Sequence, residues 1–225
     1  MPELQKEFLS VTLTTTLFLF MRSPLSFLCI LMFVILFYGC SDISQKQIVL
    51  HQTEHEISTN EGEILLQIDD IPSMVQVDAE VEFGASERFT EAVMQPQGEW
   101  FAVTTAGISH GAGWLVDRDQ NQIYPAAFQY GGSVEAGPWS ESGEFAVFIN
   151  IGPAPSQTLS VATMSQPGRT VNENSMNVRI SDHSGSVPPE SVYEPIRWDD
   201  EMLVFEVDGI RYKFDPVDNE VTAQD

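Results

Sequence analysis

One short turn motif recurs in this chain and constrains its fold more than any other feature. Residues 94–103 (MQPQGEWFAV) and 139–148 (WSESGEFAVF) both place a large apolar residue before three turn-type residues, then Gly-Glu, then an aromatic run containing Ala-Val. Their starts lie 45 residues apart, and a shorter copy without the glycine, residues 198–205 (WDDEMLVF), begins 59 residues later. Such a recurrence indicates one supersecondary unit repeated along the chain.

Each copy of the motif lies between predicted strands. Runs rich in Val, Ile, Phe, Tyr and Trp alternate with clusters of Gly, Pro, Asn and Asp, which is typical of antiparallel strands joined by turns. The motif turn needs a positive φ that Gly98 and Gly143 can supply, and Asp208-Gly209 predicts a tight hairpin. The predicted strands are 100–104, 114–117 and 123–130 in the first unit, 134–139, 145–149, 158–164 and 176–180 in the second, and 195–198, 202–207, 210–214 and one around Val221 in the third.

These units predict an all-β domain over residues 63–225, built of antiparallel four-stranded meanders in a partial or small β-propeller-like architecture. A recurrence of about 45 residues is the length of one propeller blade. The domain holds three such units, whereas closed propellers have at least about four blades. The strands predicted within 64–83 therefore form a partial fourth blade, or the units form an open stack or a sandwich.

The motif also resembles a known repeat. Residues 139–143 (WSESG) and 145–148 (FAVF) are similar to the Trp-Ser-Pro-Asp-Gly-like turn and the Ile-Ala-Phe-like strand of TolB-type β-propeller repeats, and residues 95–98 (QPQG) are similar in the first copy. The resemblance covers about half of residues 41–225 and implies a propeller fold.

Residues 21–40 (MRSPLSFLCILMFVILFYGC) have the composition of a targeting segment. Arg22 gives a short basic start, an apolar run follows, and a glycine before Cys40 ends it, which is the order of parts in a secretory signal. The segment resembles a bacterial lipoprotein signal, with Phe37 where that family usually has Leu. The resemblance implies that residues 21–39 are removed and that Cys40 is lipidated.

An uncleaved transmembrane anchor is the alternative, because the apolar stretch 8–39 is long enough to span a bilayer. In the lipoprotein interpretation, residues 1–20 reflect a start codon assigned too early, Met21 is the true start, and residues 40–62 are a polar tether. Ser41 stands where Asp would favour inner-membrane retention in the lipoprotein family, so the resemblance implies the outer membrane of a bacterial cell envelope.

The charge balance narrows the classes of partner. The chain has 10 Lys and Arg against 33 Asp and Glu, a net charge of −23, which argues against nucleic acid and against basic docking on anionic lipid. A surface of this kind suits a salty environment or a basic partner. Since Cys29 would leave with the signal and Cys40 would be lipidated, we expect no disulfide and no cysteine metal site. No cofactor is predicted.

Residues 107–111 (GISHG) spell the G-x-S-x-G motif of serine hydrolases. That chemistry needs the serine at a strand-to-helix turn, followed in the chain by an acid and a histidine, which here would be His183. A Gly/Ser-rich loop between two strands is the plainer interpretation, because no β-α alternation surrounds the motif. Loops on a β scaffold often carry binding residues, so Ser109, His110 and Trp114 are a candidate partner-binding surface, with Trp114 expected to be exposed.

Two further segments resemble metal motifs only in part. Residues 51–55 (HQTEH) spell the inverted zinc-protease motif, which needs a stable helix and a third ligand, yet they fall in the predicted tether. Residues 117–121 (DRDQN) begin like a calcium loop but lack its sixth-position glycine and twelfth-position glutamate, so they predict a hairpin turn. The acidic segments 199–201 and 215–220 likewise predict strand-end turns, with bound Ca²⁺ as the minor alternative, and no metal site is predicted.

Two hypotheses about function follow. The first is a membrane-anchored, non-enzymatic module that binds a protein or peptide, with a basic envelope partner favoured by charge; lysozyme is one class of such partner. The second is a serine hydrolase that uses Ser109 with His183, which loss of ester turnover in Ser109→Ala would support.

Overall fold

The computed structural model describes residues 49–153, 156–182, 185–186 and 190–224. Strands account for most of these residues, joined by short turns. One α-helix, α1 (Val171–Asn174), and one 3-10 helix (Ile68–Asp70) complete the described elements. The strands are β1 (Leu50–Gln52), β2 (Glu56–Thr59), β3 (Ile64–Gln67), β4 (Val75–Gln76), β5 (Glu82–Phe83), β6 (Arg88–Met94), β7 (Trp100–Ala106), β8 (His110–Asp117), β9 (Gln122–Tyr130), β10 (Ser133–Trp139), β11 (Phe145–Ile151), β12 (Gln157–Thr163), β13 (Ser175–Asn177), β14 (Ser181–Asp182), β15 (Gly185–Ser186), β16 (Tyr193–Asp199), β17 (Met202–Val207), β18 (Ile210–Asp215) and β19 (Glu220–Ala223).

Four main sheets follow one another in chain order, and every strand within them pairs with its sequence neighbour. Sheet 1 is β1-β2-β3, sheet 2 is β6-β7-β8-β9, sheet 3 is β10-β11-β12-β13 and sheet 4 is β16-β17-β18-β19. All of these pairings are antiparallel, and the two-stranded ribbons β4-β5 and β14-β15 lie between the larger sheets in sequence. The predicted all-β class and its four-stranded meanders with propeller-like repetition are confirmed.

The core is divided into three apolar layers, each shared by two successive sheets. Ile57 and Leu66 of sheet 1 pack with Phe101 and Trp114 of sheet 2. The layer between sheets 2 and 3 contains Leu115, Ala127, Trp139 and Phe148, and that between sheets 3 and 4 contains Val147, Leu159, Leu203 and Phe205. The sheets therefore pack face to face, and each interior sheet is apolar on both sides.

The sequence of β11 shows how one strand serves two layers. Successive side chains of a strand point to opposite faces, so Phe145 and Val147 face sheet 4 while Ala146 and Phe148 face sheet 2. Because both faces are buried, the run lacks the apolar-polar alternation of a half-exposed strand.

The tryptophans that begin the second and third copies of the turn motif link sheets 3 and 4 to the sheets before them. The Trp139 indole Nε1 donates to the Val93 carbonyl at 3.2 Å, and the Trp198 indole Nε1 donates to the Pro138 carbonyl at 3.1 Å. Gln95, at the end of β6, donates to the carbonyl of Gly143 in the next copy of the turn at 2.7 Å. The motif thus recurs because it joins neighbouring sheets as well as turning the chain.

The turn glycines adopt the conformation that the sequence predicts. Gly98 and Gly143 have φ values of 80° and 73°, and Asp208-Gly209 forms its hairpin with φ values of 53° and 82°. The third copy of the motif lacks a glycine, and Asp200 takes the left-handed conformation there instead, with φ of 54°. Aspartate tolerates this region better than most residues with a Cβ.

The predicted tether is wrong for its described part, because strands begin at Leu50 rather than after residue 62. Ile57, inside the predicted tether, is fully buried against sheet 2. The polar composition of the segment concealed these strands, since each is only three or four residues long and contributes few buried side chains. The signal residues 21–39 and Cys40 lie outside the described residues, and no helix among the described residues is long and apolar enough to cross a membrane.

The outer face of sheet 4 differs from all the interior faces because it is charged. On β17, Leu203 and Phe205 face sheet 3, so Val204 and Glu206 point to the other side. There Arg211 pairs with Glu206 at 3.5 Å, and the Lys213 Nζ lies 2.6 Å from an Asp199 oxygen. Within the described ranges, no extensive contact joins sheet 4 back to sheet 1. The face of sheet 4 that points away from sheet 3 therefore carries charged pairs rather than an apolar layer.

Candidate functional site

The G-x-S-x-G segment forms a tight turn between two antiparallel strands, not the elbow of a hydrolase. Gly107 and Ser109 lie between β7 and β8, and the Gly107 amide donates to the His110 carbonyl at 2.9 Å, closing the hairpin. A nucleophile elbow needs a helix after the serine, whereas β8 follows here. Ser109 is exposed, and its proposed partner His183 lies outside the described residues.

The glycines of this segment have a structural role in β8. A Cβ on Gly113 would lie 2.5 Å from the Phe148 ring and 3.0 Å from the Ala127 Cβ, so the strand can approach sheet 3 only without a side chain there. Gly111 lies equally close to the backbone of Ser133 and Val134. Close packing against sheet 3 therefore explains Gly111 and Gly113, whereas Gly107 leaves room for the His110 ring.

Trp114 is fully buried, which corrects the expectation that it is exposed. Its indole Nε1 donates to Thr105 Oγ1 at 2.9 Å, and that hydroxyl also lies 2.7 Å from Ser86 Oγ. The tryptophan belongs to the layer between sheets 1 and 2. Because residues 105–113 were read as a loop, the buried strand that carries Trp114 was predicted too short.

His110 is also buried, with 6% of its surface exposed, although it follows the exposed Ser109. Its ring lies 5.5 Å from that of Phe128 and 6.2 Å from that of Phe83, and it fills the space beside Gly107. Its Nε2 has no hydrogen-bond partner among the described residues. Burial lowers the pKa of this imidazole, and the nearby Glu87 carboxylate opposes part of that effect.

An aromatic cluster surrounds the imidazole at this end of sheet 2. Phe83 and Phe128 stack with ring centroids 4.2 Å apart, and Tyr130 lies 5.7 Å from Phe83. Tyr130 remains 61% exposed, and Ile108, at the tip of the turn, is 89% exposed. Of the three residues predicted to bind a partner, Ser109 is accessible, whereas His110 and Trp114 are buried.

A cavity of about 680 Å³ adjoins this cluster through Glu87. Three of its lining residues are acidic and one is a histidine, so a cationic group is the ligand class that suits it. The lining residues are His55, Glu56, Gln67, Ile68, Asp69, Ser86 and Glu87. Sequence reasoning missed this cavity because most of these residues fall in the predicted tether or just after it. Only His55 belongs to a motif, the partial zinc motif, which does not indicate a cavity.

The partial metal motifs form turns in the structure. His51 lies on β1 and His55 in the turn before β2, so the helix that the zinc motif requires is replaced by a hairpin. The Asp117 carboxylate accepts the amides of Asp119 and Gln120, both at 2.9 Å, which confirms the predicted hairpin turn. Among the described residues, no three His, Cys, Asp or Glu side chains are grouped so that they could hold a metal ion.

Comparison with known proteins gives structural likeness only. No protein-family model matches the sequence, and no curated protein matches it. The Dos1 propeller is similar over 77% of this chain and 39% of its own length, with 14% identity and a TM-score of 0.46. A prolyl endopeptidase is similar over 78% and 27%, with 11% identity and a TM-score of 0.46. TolB from Acinetobacter baumannii is similar over 78% and 51%, with 14% identity and a TM-score of 0.35. The chain therefore spans at most about half the length of these structures.

Proposed function

We propose that this protein is a lipid-anchored module of the bacterial cell envelope that binds a basic protein or peptide without catalysing a reaction. The observation that carries the proposal is the large excess of carboxylates over basic side chains. Residues 1–40 hold two residues of each sign, so 8 Lys and Arg face 31 Asp and Glu in the rest of the chain. The 8 basic side chains are too few to neutralise these carboxylates one for one. Among the described residues, Glu206 pairs with Arg211 and Asp199 pairs with Lys213.

The accessible carboxylates favour a cationic partner for an electrostatic reason. Unpaired surface charges of one sign raise the local concentration of oppositely charged molecules and speed their association. The acidic cavity that contains Glu56, Asp69 and Glu87 offers a concave place for a lysine or arginine side chain. Anchoring at Cys40 would keep this body beside other envelope proteins and so favour binding of moderate affinity.

Binding is tested with the full chain in lipid nanodiscs and two probe proteins of similar size and opposite charge. Hen lysozyme is the basic probe and α-lactalbumin the acidic one, measured by interferometry at low salt and at about 0.5 M salt, where the Debye length falls to a few ångströms. We expect binding of lysozyme alone, and only at low salt. Equal binding of both probes, or of neither, would contradict the proposal.

The anchor is tested by labelling bacteria that express the chain with radioactive palmitate. We expect the label in the wild type and in Cys29→Ala, which removes the signal-peptide cysteine, but not in Cys40→Ala. Label that persists in Cys40→Ala would rule out lipidation at this residue. Membrane fractionation of the wild type and of Ser41→Asp then tests the outer-membrane assignment, because the lipoprotein resemblance implies that Asp at this position retains the protein in the inner membrane.

A further inference from the structure

We propose that the partner segment is a basic peptide carrying one large apolar side chain, which docks on an exposed apolar patch at the Ser109 end of sheets 2 and 3. This inference rests on the proposed function and adds a binding site and a partner chemistry to it. The patch, called the tip patch below, consists of Ile108, Tyr130 and Pro153. All three are exposed, Ile108 to 89% and Tyr130 to 61%.

The three residues lie together because their turns are at the same end of adjacent hairpins. Alternate turns of an antiparallel meander share one end, and these residues flank or occupy the turns β7-β8, β9-β10 and β11-β12. The Gly131 amide donates to the Ser109 carbonyl at 2.7 Å, which holds the first two turns together. A Cβ on Gly131 would lie 3.7 Å from the Pro153 ring, which places the third turn in contact with the second.

The tip patch is unusual for a set of surface turns. Turn tips favour Gly, Asn, Asp, Ser and Pro, because these residues suit the turn backbone and are readily hydrated. Ile108 satisfies neither condition, and its side chain packs against little of its own fold. Adjacent exposed apolar side chains on a soluble surface are characteristic of protein-binding sites.

The patch also has a rigid foundation. The Tyr130 ring packs against Phe83, which stacks on Phe128, and the buried His110 ring fills the space behind them. A side chain placed on the patch would therefore contact a preorganised aromatic surface. Preorganisation lowers the entropy cost of binding.

Charge complementarity selects the rest of the partner. Glu82 is exposed beside Phe83 on β5, and Glu87 is exposed where the acidic cavity adjoins the aromatic cluster. Glu87 lies near enough to His110 for its charge to raise the pKa of that imidazole. Lys or Arg residues flanking the apolar side chain of a peptide would thus meet carboxylates on the cavity side of the patch.

The test uses fluorescent peptides and the full chain in nanodiscs, with fluorescence anisotropy as the readout. The first peptide is rich in Lys with one central Phe, the second has Ser in place of Phe, and the third keeps Phe but has Glu in place of Lys. The test variant is Ile108→Ser with Tyr130→Ser. Val217→Ser is the matched control, because Val217 is 78% exposed but lies in the β18-β19 turn at the opposite end of its sheet. Circular dichroism melts check that each variant is folded.

We expect the wild type to bind the first peptide about tenfold more tightly than the second, since burying one large apolar side chain contributes on the order of 1.5 kcal/mol. The double variant should lose this preference, Val217→Ser should retain it, and the third peptide should not bind. Equal affinity for the first two peptides, or equal losses in the double variant and the control, would overturn the inference, although salt-sensitive binding of both would still support a basic partner. Failure of the wild type to bind either basic peptide at low salt would overturn both proposals.

Discussion

His110 is a buried titratable group among aromatic rings, and its protonation therefore couples to folding. Burial places its pKa in the folded protein below the ordinary value of about 6.5 that it has in the unfolded chain. Between these two pKa values the unfolded state binds more protons, so stability rises with pH. The free energy of unfolding is therefore not reduced by His110 above pH about 6.5. It decreases as the pH falls from there toward the lower pKa that His110 has in the folded protein.

We predict that His110→Gln makes unfolding less sensitive to acid. For one group the slope reaches at most about 1.4 kcal/mol per pH unit, and the variant should lose that component below pH about 6.5. Urea unfolding at several pH values measures it, with the exposed His51→Gln as the control. A wild-type slope in His110→Gln would show that other groups determine the acid sensitivity.

Gly113 is a residue whose missing side chain matters. Gly113→Ala would place a methyl group against the Phe148 ring, and overpacking of this kind costs about 1–3 kcal/mol. Gly84→Ala is the control, because no atom lies within 4 Å of its Cβ position and its φ is not positive. We expect a clear loss of melting temperature in the first variant and almost none in the second; equal melting temperatures would contradict the packing of β8 against sheet 3.

Among the three copies of the turn motif, the third lacks the glycine. Asp200 holds a left-handed conformation where the first two copies have glycine. We predict that Asp200→Gly stabilises the protein by about 0.5–1 kcal/mol, because the roughly 1–2 kcal/mol that the left-handed conformation costs a residue with a Cβ exceeds the entropy cost of introducing glycine. Glu201→Gly, in the same turn but without a positive φ, should instead destabilise it, because glycine increases the entropy of the unfolded chain and the variant loses the hydrogen bond that Ser142 Oγ donates to Glu201 at 2.9 Å. The same sign of change in both variants would refute this account; chemical denaturation measures it.

The accuracy of the sequence-based strand predictions followed the strength of the local pattern. Strands β10, β11, β17 and β18 were predicted within two residues of their observed ends, because each has an apolar run bounded by clear turn residues. The first four residues of β8 are predicted as a loop, because Gly111 and Gly113 weaken the strand pattern there. These glycines are needed for the close contact with sheet 3, which a local sequence pattern cannot show.

The candidate site was less predictable than the fold. Ser109 belongs to a sequence motif of serine hydrolases, but in the structure it lies in a hairpin turn at one end of sheet 2. An isoleucine inside a Gly-Ser turn was the available signal for the tip patch. The acidic cavity depends on Glu56 and Glu87, which are distant in sequence and meet only through sheet packing.

For the whole molecule, charge repulsion should limit stability. A net charge of −23 on 225 residues raises the electrostatic energy of the compact state more than that of the expanded chain. We predict that the melting temperature rises between low salt and about 0.5 M NaCl, because salt screens this repulsion. An equal concentration of a neutral osmolyte is the control, and a melting temperature that falls with NaCl would contradict the prediction.

The charged outer face of sheet 4 restricts where another sheet could be added. Another sheet packed on this face would remove water from Arg211 and Lys213. The resulting loss of solvation free energy would exceed the attraction within their two ion pairs. A repeat stacked on this face would therefore pack poorly. Lengthening by insertion between sheets 2 and 3 would be tolerated better, because both new junctions would be apolar.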